Sequence, residues 1–360
     1  MTYLMLPERY SQTPRGILTF MHPKGTQSSI NSYLHPAFTR IRCAFCFCLE
    51  QPMKKGILLL LLSLLSACGG DNNSSQSPAP QPENPDTPVA GITIPVVVHI
   101  MEHPASDDSR ISVAKVHSQI AALNRAFNRQ NDDLSQVPAK FQPLIADMQI
   151  RFELATTDPQ GQPTTGITRT TQNIELAPEE YRWGYRYLHY SALGGKDPWP
   201  RERYLNIWVS DMRDRHGKVS LAGRASLPGN PPEEDGVLIA TLAFGTEPPL
   251  EQGLHLGKTT AHEVGHWLGL KHIAGEQESC NVDDGISDTP LSSSNYGGMT
   301  PSHPSSTCGS ADMFMNYMSL ARDESLLMFS QGQKAAVWSV LNEGGERHSL
   351  LLNSRNTAAD

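Results

Sequence analysis

Positive charge is scarce in this sequence. Lys and Arg number 29 against 37 Asp and Glu, a formal net charge of −8. Residues 1–67 hold seven basic and two acidic side chains, so from Cys68 onward the chain carries 22 basic against 35 acidic. A body with that balance repels phosphate backbones, which excludes a nucleic-acid partner. No internal repeat of solenoid period is present, so a stacked-repeat architecture is excluded as well. Long apolar runs are missing too: the run Ile57–Leu65 is too short to cross a bilayer as a helix. What remains is ample for a core, with 38% hydrophobic residues in 360, and Gly 28 with Pro 27 predicts generous loops.

That short apolar run has a different use. From Met53 the chain reads MKKGILLLLLSLLSACGG, two lysines followed by an apolar stretch and small residues, the pattern of an export signal over 53–67. Its end, Leu65-Ser66-Ala67-Cys68, resembles the lipobox of bacterial lipoproteins, which implies cleavage before Cys68 and lipidation of its sulfur. Lipid chains anchor a protein to a membrane without spanning it, so the expected location is the cell envelope, with the outer membrane suggested by Gly69, or the extracellular space. A signal begins at a translation start, so residues 1–52 are expected to be a mis-assigned upstream extension. Cys43, Cys46 and Cys48 within it have no matching ligand pair nearby and are read as noise. Residues 69–90 are rich in Ser, Asn and Pro without apolar periodicity, and with the lipidated Cys68 they form a tether over 68–90.

The folded domain is expected over 91–345, with 346–360 as a tail. Ile92–Ile100 (ITIPVVVHI) is β-branched and apolar nearly throughout, as a strand covered on both faces would be. Over 111–129, Val113, Val116, Ile120, Leu123 and Phe127 recur at steps of three and four, predicting a helix with one buried stripe. Further strands fit 148–154, 204–209, 220–227 and 236–243, and the alternation argues a mixed α/β sheet. Residues 291–310 read as surface loop. A last helix is predicted from Ser330, with Ser330 and Gln333 at capping-box spacing.

Chemistry is concentrated in residues 262–272, HEVGHWLGLKH. On a helix, residues four apart share a face, so His262 and His266 can aim their imidazoles at one point. Glu263, one step round, can reach a water there while staying out of the first coordination shell. Gly269 can take a positive φ, ending the helix and turning the chain so that His272 returns as a third ligand. Three neutral imidazoles with one open position are the donor set of a catalytic zinc; a structural zinc is closed by four protein ligands.

With these residues the chain resembles the metzincin clan of zinc peptidases and, within it, the pappalysin and cytophagalysin family. The likeness extends over segments 94–100, 164–170, 203–212 and 316–333. It implies an α/β (α+β) fold: a twisted, mixed five-stranded sheet with a backing helix and an active-site helix, then an irregular C-terminal subdomain with a methionine turn and a terminal helix. Met318, in Asn316-Tyr317-Met318, takes the place of the turn methionine, with Phe329, Gly332 and Gln333 in register; Met315 is the alternative. The family's tyrosine two residues on is Leu320 here. Cys280 and Cys308 match one family disulfide, while the cysteine of a second pair aligns with Ser325. Between them, Asp283, Asp284 and Asp288 fit calcium or an ordinary solvated acidic turn equally well.

The resemblance implies zinc-dependent hydrolysis of protein or peptide substrates, with Glu263 as general base and then acid. A substrate strand is expected along the edge at 220–227. The competing expectation is a zinc-binding, adhesive surface lipoprotein that cleaves nothing.

Overall fold

A computed structural model of the chain describes residues 2–4, 91–214 and 216–357. The expected upstream extension with its cysteines, the export signal, Cys68 and the tether lie outside the described residues, apart from strand β1 (Thr2–Leu4). Among the described residues no helix is long and apolar enough to cross a membrane.

The apolar run at the start of the domain forms the central strand, β2 (Ile92–Glu102). Two short strands share one of its edges end to end: β3 (Ile150–Leu154) pairs with residues 92–96 and β4 (Ile167–Thr171) with residues 98–102, both parallel. On the other edge lies β5 (Leu205–Ser210), parallel, then β7 (Val237–Ala240), parallel, then β6 (Gly223–Ala225), antiparallel to β7. The five sheet positions expected from the family pattern are therefore filled by six strands, and β1 adds an antiparallel partner outside β6. Every residue of β5, β6 and β7 is buried, which accounts for the nearly unbroken apolar sequence of β5 and β7.

One face of this sheet is covered by α1 (Val113–Phe127) and α3 (Lys258–Trp267), which also touch each other. Ser112 caps α1 by accepting from Lys115 N, and Val116, Ile120, Leu123 and Phe127 form the buried stripe. Val113 departs from the expected stripe and is 52% exposed, because as the first residue of the helix it borders an open surface pocket with Leu154 and Ile167. Lys115 is buried instead, donating from Nζ to the carbonyls of Thr241 (3.0 Å) and Pro249 (2.7 Å). A short helix α2 (Glu179–Arg182) belongs to the 3₁₀-rich connection between β4 and β5.

The C-terminal part is mostly irregular until α4 (Gln331–Leu341), whose capping box forms as the sequence spacing predicts. The residues after 345, expected as a tail, depart from that reading. They carry α5 (His348–Thr357), which packs on β2 and α4 with Leu350 and Leu351 buried. Cys280 and Cys308 are disulfide-bonded, their Cα atoms 5.5 Å apart, and tie the two ends of the long loop together.

Candidate active site

The site grows from the way α3 ends. Gly269 takes φ +96°, and the chain closes with Gly269 N donating to His266 O (2.8 Å) and Leu270 N to Gly265 O (2.9 Å). That pair of bonds is a Schellman turn, which an L side chain at position 269 would strain. It reverses the backbone within three residues and returns His272 to the face that carries His262 and His266.

The three Nε2 atoms then stand 3.0 Å (His262–His266), 3.2 Å (His266–His272) and 3.3 Å (His262–His272) apart, and all three rings are buried. Each remaining nitrogen is occupied or faced by an acceptor: His262 Nδ1 meets Tyr317 O at 2.7 Å, His266 Nδ1 meets Leu270 O at 2.7 Å, and His272 Nδ1 lies 3.5 Å from Glu276 Oε1. A carbonyl can only accept, so the first two rings carry their proton on Nδ1 and turn Nε2 lone pairs toward the common centre. Burial holds His262 near pKa 4 and His272 near 3, and pushes His266 well below its ordinary value, so the rings are neutral at pH 7. Converging lone pairs repel unless a cation lies among them. For metal–nitrogen bonds of about 2.0–2.1 Å in a tetrahedral site the donors stand roughly 3.4 Å apart, close to the spacing found, so the donor set fits zinc. Among the described residues this is the one convergence of three such ligand groups.

Glu263 is fully buried, with neither carboxylate oxygen hydrogen-bonded by a protein group. Burial pushes its pKa well above the ordinary value, opposed by the positive charge of Arg224. It faces β6, where a Cβ on Gly223 would stand 2.6 Å from both its Cγ and its Oε1. Only a glycine at this point of the strand leaves the carboxylate its place, a requirement the sequence pattern alone did not expose.

Below the histidines runs the segment 316–318. Tyr317 supplies the carbonyl that orients His262, and Met318 packs beneath α3, its Sδ 2.5 Å from where a Cβ on Gly265 would be. Asn316 fixes this turn: its Oδ1 accepts from Met318 N, and its amide exchanges two bonds with that of Gln333 at 2.8 and 3.0 Å. Met315 is also buried but lies in the preceding turn, its carbonyl accepting from Leu327 N and Met328 N. A cleft opens beside His262, with Leu254, Leu320, Ala321 and Leu326 among its walls.

Asp283, Asp284 and Asp288 do not converge with one another as metal ligands. Asp288 accepts from Ser330 Oγ (2.6 Å) and Gly332 N (2.8 Å) at the start of α4. Asp284 binds Ile286 N and the Thr289 hydroxyl through Oδ1, while its buried Oδ2 has no partner.

Comparison with known proteins gives one answer. The profile of the peptidase family described as pregnancy-associated plasma protein-A matches residues 193–342. Mature mirolysin of Tannerella forsythia, solved in complex with a cleaved peptide, is 37% identical, with a TM-score of 0.67 and a match covering 75% of this chain and 98% of that one. An extracellular metalloprotease of Verticillium alfalfae is 41% identical over 229 residues, 62% of this chain and 66% of the relative. One from Arthroderma otae is 35% identical over 114 residues, 31% of this chain and 41% of the relative. The matched part thus spans about two fifths of the Arthroderma protein and nearly all of mature mirolysin.

Proposed function

The chain belongs to the pappalysin family of metzincin metalloendopeptidases, and from that premise we propose that it hydrolyses peptide bonds with zinc held by His262, His266 and His272 and with Glu263 as the proton carrier. The single observation that carries the reading is the triangle of buried Nε2 atoms 3.0–3.3 Å apart beside an unpartnered buried carboxylate.

Zinc, when bound, lowers the pKa of a water toward about 7 and polarises a scissile carbonyl. Each further step belongs to the chain's own groups. Tyr317 O and Leu270 O hold the two helical imidazoles in their donor tautomer, so no ring rotation is needed when substrate arrives. Glu263 takes a proton from the attacking water and delivers it to the leaving nitrogen. Its burial favours the protonated form, which makes it a competent acid in the second half of the reaction.

A substrate adds as an antiparallel strand to the outer edge of β6, with main-chain bonds setting its register. The pairing of Thr2–Leu4 with residues 223–225 supports this mode. The antiparallel direction sends the substrate's C-terminal half toward residue 219, where Glu251, bound to Val219 N, borders the apolar cleft. Met318 supports the ligands from below as a packing residue. Export is supported by relatives named as extracellular, and lipidation of Cys68 after removal of 53–67 completes the proposal. Calcium, if held by the 283–288 loop, would use Asp284; titration of the chelated chain with calcium and a thermal shift read this directly.

A second reading is favoured by Leu320, which puts an alkyl side chain where the family has a phenol. On that reading the chain binds zinc at a surface and cleaves nothing. Purified chain is incubated with casein and a peptide library, beside Glu263→Ala and a chelated control. We expect cleavage by the wild type alone, with loss of about 10²-fold or more in the variant. Equal cleavage by both proteins, or none by zinc-loaded wild type, rejects the peptidase.

A further inference from the structure

The Schellman turn that returns His272 is itself held from outside. Its two bonds use the carbonyls of Gly265 and His266, and the helix bond to Leu268 uses that of Val264, which leaves Trp267 O without a partner in the turn. Arg347 fills that role: its Nε donates to Trp267 O at 2.7 Å. The guanidinium is 4% exposed and lies over the Trp267 ring, 4.0 Å from the centroid. Its two other nitrogens form a fork on the buried Asp235, Nη1 to Oδ1 at 3.0 Å and Nη2 to Oδ2 at 3.1 Å, and Trp267 Nε1 donates to the same Oδ1 at 2.8 Å. Asp235 precedes β7 by two residues. One arginine, between α4 and α5, therefore fastens the carbonyl next to His266 to the base of the sheet.

Such a closed group is more than packing. A guanidinium is planar and offers donors in a fixed fork, so it sets the direction of the carbonyl it holds as well as its distance. Rotation of the Trp267 peptide would tilt Leu268 and Gly269, and with them Leu270 O, the acceptor that orients His266. We propose that Arg347 is a positioning residue of the zinc site: it fixes the turn 267–270 so that His266 and His272 keep their spacing. Its consequence for metal rests on the peptidase reading above, while its consequence for the turn does not. The residues expected as a C-terminal tail thus complete the metal site.

The test compares full-length wild type, Arg347→Lys and Leu350→Ala. Lysine keeps the charge near Asp235 but cannot bond Trp267 O and grip both carboxylate oxygens together. Leu350→Ala loosens α5 by removing a buried side chain while keeping the backbone bond from residue 350 to Arg347 O and every guanidinium contact. Zinc affinity is read by competition with a chromophoric chelator, and exchange of the Gly269 and Leu270 amides by hydrogen–deuterium exchange without metal. Arg347→Lys should weaken zinc by about 10- to 100-fold and speed exchange at both amides about tenfold or more, with kcat falling more than KM rises. Leu350→Ala should lower the melting temperature yet leave zinc affinity and those amides within about twofold. Unchanged exchange in Arg347→Lys, or equal changes in both variants, would overturn the proposal. A wild type that binds no zinc would defeat the peptidase reading alone, because amide exchange still decides the clamp.

Discussion

Gly223 leaves no room for a side chain beside the buried Glu263 carboxylate. Its missing Cβ is what lets Glu263 stand beside β6, since a methyl there would lie 2.6 Å from Oε1 and Cγ. Glu263 stands on α3, every residue of which is buried, so the close-packed surroundings give its carboxylate little space to move into. Gly223→Ala should therefore move Glu263 while leaving the three histidines in place. A misplacement on the order of 1 Å at a reacting group costs roughly 10²-fold in rate, so we expect kcat to fall by about that factor with zinc stoichiometry unchanged. Steady-state kinetics together with elemental analysis check it; full activity in the alanine variant would mean that Glu263 does not work from this position. Backbone carbonyls act at the same scale. Tyr317 O and Leu270 O decide which nitrogen of His262 and His266 is free, and no side-chain pattern announces them.

The histidine cluster of 262–272 was legible because the metal chemistry proposed for it requires fixed side chains at helical spacing. His262 and His266 four apart, and a glycine before the returning His272, follow from helix geometry alone. The central strand and the start of α4 were legible for similar local reasons: an unbroken β-branched run, and a Ser and Gln that bond each other's backbone. What escaped depends on partners far away in sequence. Lys115 reads as solvent-facing on any periodicity argument and is buried because the loop 241–249 offers two carbonyls to its ammonium. Strand β4 is polar and half-exposed, so only its pairing with β2 identifies it. Helix α5 has a weak apolar face, and its place is fixed by Leu350, Leu351 and the Arg347 fork. The helix-ending turn also gives a prediction. Gly269→Ala forces a Cβ into left-handed backbone and to 3.1 Å from Val340 Cγ2. We expect a loss of about 1–2 kcal/mol in unfolding free energy together with weaker zinc binding, measured by urea denaturation and chelator competition; an unaffected zinc affinity would separate the turn from the metal site.

Across the whole molecule, acid should act on a second pair of histidines remote in sequence from the zinc motif. His99 on β2 and His189 in the β4–β5 connection are both buried against Trp208, their ring centroids 5.2 and 4.3 Å from it. His99 has partners on both nitrogens, Thr168 Oγ1 at 2.8 Å and Asn206 Oδ1 at 3.1 Å, whereas Nδ1 of His189 has none. Burial lowers His99 to about 4 and His189 to about 3, the latter also disfavoured by the charge of Arg224. Both folded values lie below the unfolded value of about 6.5, so the unfolded chain takes up protons first as pH falls. The stability these neutral rings confer is complete above pH ~6.5 and declines as pH drops through that value toward the folded pKa values. By pH 5 linkage gives a loss of about 2 kcal/mol for each ring. His262, His266 and His272 titrate in the same direction, but their contribution is common to wild type and to His189→Phe, whose ring keeps the contact with Trp208. Urea denaturation followed by tryptophan fluorescence at pH 7 and pH 5 should therefore show the variant losing about 2 kcal/mol less than the wild type between the two conditions. Parallel losses in the two proteins would mean that His189 is accommodated as a cation, and that the acid sensitivity of the fold lies at His99 and the 262–272 histidines instead.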